Sequence, residues 1–131
     1  MKTPDYSDLL KKHYIYHTAE NDGGYDCYDF EIDIQERFGH HLESIRRNHS
    51  SQAVFNDNAE SVIESMKEKV KETDSPVEGD IIVFFDAKGR LVHIGTYLGN
   101  DRFIHCDTRG VEVLRLSSYF LRKWKAYTWL K

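Results

Sequence analysis

Cysteine, proline and methionine are each present only twice in 131 residues, and the scarcity of cysteine is the most restrictive. With Cys27 and Cys106 alone, a disulfide framework is excluded; one bridge is the most that could form, and reduced thiols are the default reading. No apolar run approaches the roughly 20 residues of a membrane span. Met1-Lys2-Thr3-Pro4-Asp5 has no apolar signal core. The expectation is therefore a protein that is cytoplasmic when made and needs a carrier, such as a virion or a secretion machine, to act outside a cell. Long runs of Lys and Arg are also missing, and 22 acids outnumber 18 bases for a formal charge of −4. A nucleic-acid binder needs a positive face to neutralise phosphates, so neither nucleic acid nor membrane is expected as a partner.

Aromatic residues, by contrast, are plentiful: eight Tyr, seven Phe and two Trp argue against disorder. The length fits one domain over residues 1–131, large enough to bury its own core, and no repeat or linker interrupts it.

The first half reads as helical. Residues 5–17 suggest a short helix followed by a tyrosine-rich extended piece, and Thr18 to Gly24 is a polar loop that ends in two glycines. Cys27, Phe30, Ile34 and Phe38 then recur at helical spacing, with Gly39 as terminator. Asp26 suits the N-cap, which would start this helix at the cysteine. Residues 40–57 are weakly patterned, and Ala59 to Lys71 reads as an amphipathic surface helix around Val62, Ile63, Met66 and Val70. Thr73 to Gly79 is a turn.

From Asp80 the period becomes two. Ile81–Phe85, Leu91–Leu98, Arg102–Cys106 and Val111–Leu116 read as strands, Ser117–Leu121 as a helical turn and Trp124–Leu130 as a fifth strand. The class predicted is α+β, with N-terminal helices packed on a five-stranded antiparallel sheet.

A thiol in the first turn of a helix gains from backbone amides and the helix dipole, which stabilise thiolate. The same amides lie where an oxyanion would form. The plain alternative is that Cys27 is a small buried hydrophobe. Asp26, Asp29 and Glu31 add negative charge that opposes ionisation, so a basic partner has to contribute. His93 and His105 are the candidates. Side chains alternate along strands, so the loop between them sets their faces. A three-residue loop at Gly99-Asn100-Asp101 sets His105 opposite Gly95 and puts both histidines on one face as diagonal neighbours, about 7–8 Å apart in backbone; a two-residue loop separates them. On one face, His93 can take the thiol proton while His105 holds its second nitrogen; otherwise they are two ordinary sheet histidines. Cys106 points away from His105, so a zinc site built from Cys27, His93, His105 and Cys106 fails. No metal and no cofactor are expected. His13, His17, His40, His41 and His49 read as surface residues, the pair at 40 and 41 following a helix end that favours cations.

Gly24-Tyr25-Asp26-Cys27-Tyr28-Asp29-Phe30 resembles the aspartate–cysteine signature of the NlpC family of cell-wall cysteine peptidases. Pro76-Val77-Glu78-Gly79-Asp80 with Ile81 to Phe84 is similar to the family's Pro-x-x-Gly-Asp approach to a strand, and His93 to Asn100 followed by Phe103-Ile104-His105 to its two-histidine hairpin. These pieces fall in the family's order over roughly residues 14–127. The resemblance implies a papain-like fold and a Cys27–His93–His105 triad. It also implies hydrolysis of amide bonds in peptidoglycan stem peptides, often after a γ-D-glutamyl residue. A tyrosine upstream of the cysteine, Tyr16 or Tyr14, is implied to shape the oxyanion region, with Asp26 and Tyr28 beside it. The cysteine helix looks closest to phage-tail versions, which would make tail proteins the partners and the tail the carrier. Asp29 stands where the family has a small residue.

Three functions follow: a wall-degrading, tail-associated peptidase; a toxin or effector domain using the same triad for deamidation or acyl transfer, with an immunity protein as partner; and an inert structural tail component, the reading that Asp29 keeps open.

Overall fold

The computed structural model describes residues 8, 27–42, 68–107 and 110–130, and for Cys27, Tyr28, Asp29 and Asp107 the backbone only. Helix α1 spans Cys27–Arg37. It starts at the cysteine and stops where the sequence provides a stop: Gly39 has φ +86, its N–H bonds Glu36 O at 2.9 Å, and the His40 N–H bonds Gln35 O at 2.8 Å. These two bonds close a Schellman cap, which requires a left-handed residue where glycine stands.

Six strands follow: β1 (Val70–Thr73), β2 (Ile81–Phe85), β3 (Leu91–Gly99), β4 (Arg102–Asp107), β5 (Gly110–Arg115) and β6 (Lys123–Trp129). They form one sheet in the order β1-β6-β2-β3-β4-β5, every pair antiparallel. The predicted five-strand sheet thus gains an edge strand. Val70 and Lys71, placed by their helical pattern at the end of the 59–71 helix, instead pair with Trp129 and Thr128 of β6. Extended pairing here covers the backbone edge of β6 that would otherwise lack partners, and it buries β-branched Val70. The remainder of that segment, and the helix expected at 5–17 apart from Asp8, lie outside the described residues. The helical turn expected at 117–121 is a shorter 3-10 turn, Leu116–Ser118.

Alternation along the strands divides the core into two faces. On the first, Phe30, Ile34 and Phe38 of α1 pack with Ile104, Cys106 and Val111, beside a cluster of Ile81, Val83, Ile94, Leu42 and Val70. On the second, Ile82, Phe84, Phe103, Leu116, Tyr119 and Ala126 form a separate cluster. Burying Phe30, Phe84 and Phe103 completely is worth roughly 2–3 kcal/mol each before entropy is charged against it.

The β3–β4 hairpin fixes the register that matters for chemistry. Its turn has two residues, not three: Asn100 and Asp101 have φ 53 and φ 63, the left-handed pair of a type I′ turn. Gly99 pairs with Arg102 at the turn, yet Tyr97 pairs with Phe103 and Thr96 with Ile104. One extra residue in β3, a bulge between Tyr97 and Gly99, restores the register that a three-residue loop would have set.

Candidate active site

His93 on β3 and His105 on β4 share the second face, as the alternation rule requires once the bulge is counted. His93 Nε2 and His105 Nδ1 are 2.6 Å apart, with ring planes at 82° and centroids at 4.8 Å. His105 is fully buried and His93 nearly so. Aromatic rings wall the pair: Phe84 lies 5.7 Å from His93, Phe103 lies 5.1 Å from His105, and Tyr119 stands 5.4 Å from His105 and 6.3 Å from His93, centroid to centroid. A wall of this kind holds both rings in one orientation and keeps water from the bond between them.

Behind His105 stands a residue that the sequence reading missed. Glu112 on β5 is the direct cross-strand partner of His105, and its Oε1 lies 3.5 Å from His105 Nε2. Counting the β4–β5 register from the Asp107–Gly110 turn would have found it, since alternation aligns Glu112 with His105. Tyr119, just past the 3-10 turn, had no comparable signal.

On the first face, α1 carries a buried polar line. Thr96 Oγ1 donates to Glu31 Oε1 and accepts from Gln35 Nε2 at 2.8 Å. Gln35 Oε1 accepts from Trp129 Nε1 and from His40 Nδ1, both at 3.0 Å. Burial pushes the Glu31 carboxyl well above the usual carboxylate range, against the opposing pull of the Thr96 hydrogen bond. Burial favours the neutral form of Glu31 and so weakens its opposition to a Cys27 thiolate. His40 is also corrected. It is half-buried and stacked on Trp129 at 4.7 Å, and desolvation lowers its pKa while Asp80 and the Gly79 backbone raise it. It is not the exposed cation expected after a helix end. His41 is exposed as expected, with Nδ1 2.8 Å from Glu36 Oε1.

The Pro-x-x-Gly-Asp stretch is a structural device. Asp80 accepts the Val77 N–H at 2.8 Å and the Thr128 hydroxyl at 2.9 Å, tying the turn before β2 to β6. Cys106 is buried on the first face, opposite His105, as alternation requires.

The backbone of Cys27 opens α1, where the first amides of a helix have no intrahelical acceptor. Phe38, at the other end, packs by Gly79, which bonds Tyr97, whereas Glu31 and Gln35 meet Thr96. The helix therefore crosses the sheet beside Thr96, with its C-terminal end by Gly79. The helix body and the histidine pair lie on opposite faces of the sheet. The side chains of Cys27 and Tyr28 lie outside the described residues, as do Tyr14, Tyr16 and Asp26.

The model of the NlpC/P60 family matches residues 11–130. The chain belongs to the NlpC/P60 family. Its members are typically cysteine peptidases or amidases acting on peptidoglycan. The fold agrees with solved NlpC/P60 structures. NlpC2 from Trichomonas vaginalis gives a TM-score of 0.59 at 19% identity, over 95% of this chain and 44% of that one. An NlpC/P60 family protein from Bacillus cereus ATCC 10987 gives 0.56 at 18% identity, over 98% and 41%. NlpC1 from Trichomonas vaginalis gives 0.55 at 17% identity, over 100% and 49%. The chain thus spans less than half the length of these NlpC/P60 structures. No curated protein matches it.

Proposed function

We propose that this NlpC/P60 chain is a cysteine peptidase that hydrolyses amide bonds of peptidoglycan stem peptides, with Cys27 as nucleophile, His93 as base and His105 as the residue that orients it. The observation carrying this reading is the buried 2.6 Å contact between His93 Nε2 and His105 Nδ1. It occupies one nitrogen of His93, which supports a role in orientation for that nitrogen and leaves the other, Nδ1, for the thiol in this reading. In the forward step His93 Nδ1 takes the Cys27 proton, sulfur bonds the scissile carbonyl carbon, and the oxyanion is met by amides of the first turn of α1. His93 then gives the proton to the leaving nitrogen as the C–N bond breaks. Water, deprotonated by His93, attacks the thioester, and the C–S bond breaks to regenerate the thiol. Tyr14 or Tyr16, Asp26 and Tyr28 are proposed to line the oxyanion and substrate region. Delivery by a phage tail rests on the look of the cysteine helix and of the Gly-Asp-to-histidine stretch, and tail genes beside this one would support it.

Digestion of purified peptidoglycan, with released peptides read by mass, tests the proposal. Wild type should release stem peptides, and Cys27→Ala and His93→Ala should each lower release at least ~1,000-fold while leaving circular dichroism unchanged. His105→Ala should retain part of the activity. Release by Cys27→Ala equal to wild type would contradict the mechanism.

A further inference from the structure

We infer that Glu112 is a positioning residue that sets the tautomers of His105 and His93, so that the outer nitrogen of His93 accepts a proton instead of offering one. This deepens the reading of His93 as the base. Two neutral imidazoles joined Nε2 to Nδ1 can share their hydrogen bond in two senses. In one, His105 Nδ1–H donates to His93 Nε2; His93 then carries its own proton on Nδ1, the nitrogen that has to receive the thiol proton, and cannot act as base. In the other, His93 Nε2–H donates to His105 Nδ1, His93 Nδ1 presents a lone pair, and His105 carries its proton on Nε2.

A group that accepts from His105 Nε2 selects the second sense. Glu112 Oε1 is the atom placed to do so: it is buried, lies 3.5 Å from that nitrogen, and comes from the residue directly across the β4–β5 ladder. Contacts of this kind are often long without substrate and tighten when it binds. Because His105 is fully buried, Glu112 acts on a ring that solvent cannot satisfy, where an accepting carboxylate counts most. The same chain of bonds supports the imidazolium that forms when His93 takes the thiol proton, since each donor in it already points toward Glu112. Glu112 touches no reacting atom; it acts through His105.

Histidine side-chain 15N spectra of the full chain at neutral pH decide this. In wild type, His105 and His93 should each carry a proton on Nε2, with His105 Nδ1 unprotonated. Glu112→Ala and Glu112→Leu, which have no acceptor, should lose this preference and shift protonation toward His105 Nδ1, and Glu112→Gln, which keeps an accepting oxygen, should hold most of it. In peptidoglycan digestion Glu112→Ala and Glu112→Leu should lower kcat about tenfold or more, with KM little changed. A proton on His105 Nδ1 in wild type, or spectra that do not change in Glu112→Ala, would overturn the inference even if Cys27 and His93 prove essential. If wild type is inert on walls, the spectra still decide the role of Glu112.

Discussion

Glu31 sets the cost that the cysteine helix bears at neutral pH. Its carboxyl is fully buried on the first face, and burial raises its pKa. Below about pH 4 the folded and unfolded chains both hold this proton. As pH rises past that point the unfolded chain releases it and the folded chain keeps it, so stability falls until the folded carboxyl itself ionises. Glu31→Gln keeps an acceptor for Thr96 and has no proton to release. It should therefore raise stability at pH 7 by on the order of 1 kcal/mol and give no gain below about pH 4. Urea unfolding at the two pH values checks this, and an equal gain or loss at both would contradict it. A spacing of four from Cys27 to Glu31 and four more to Gln35 already placed these residues on one helical stripe. What the sequence could not supply was Thr96, whose arrival makes that stripe a buried one. His40 was misread for the same reason, since only the strand pairing brings Trp129 to it.

Among the elements, the β3–β4 hairpin shows how a correct placement can follow from an incomplete reason. Alternation predicted that His93 and His105 share a face if the loop has three residues. The loop has two, and the bulge between Tyr97 and Gly99 supplies the missing step. Asn100 and Asp101 were a readable two-residue turn signal, whereas a bulge leaves little trace in a sequence unless a neighbour requires it. Strands β2 to β6 fall within a residue or so of their expected bounds, because alternation bounded by Gly and Asp is a local signal. Strand β1 was hidden, because its four residues also fit a helical pattern and only pairing with β6 decides between the two. Gly95, on β3 two residues after His93, lets β4 approach closely. A Cβ there would stand 2.9 Å from Phe103 Cδ2 and 3.3 Å from Ile104 O, and Phe103 packs against His105. Gly95→Ala should cost about 1–3 kcal/mol in denaturant unfolding and displace the histidine pair, so that peptidoglycan release falls more than stability alone explains. A variant as stable and as active as wild type would contradict this packing.

At the scale of the whole molecule, the described residues set one helix on one face of a six-stranded sheet, while an aromatic cluster holds two histidines on the other. The family and the α+β class were readable because the cysteine signature, the Gly-Asp stretch and the histidine hairpin occur in order. The extra strand was not, since it depends on β1 and β6 meeting in the fold, and Glu112 behind His105 was legible only through the β4–β5 register. Catalysis in this arrangement needs the start of α1 and the start of β3 to converge at one end of the sheet. The most direct test is the pH dependence of Cys27 alkylation by iodoacetamide, resolved from buried Cys106 by peptide mass, in wild type and His93→Ala. A paired thiol should react in wild type well below the free-cysteine value of about 8.5, and His93→Ala should return the profile to that value or above. Identical profiles in the two proteins would show that sulfur and imidazole never meet.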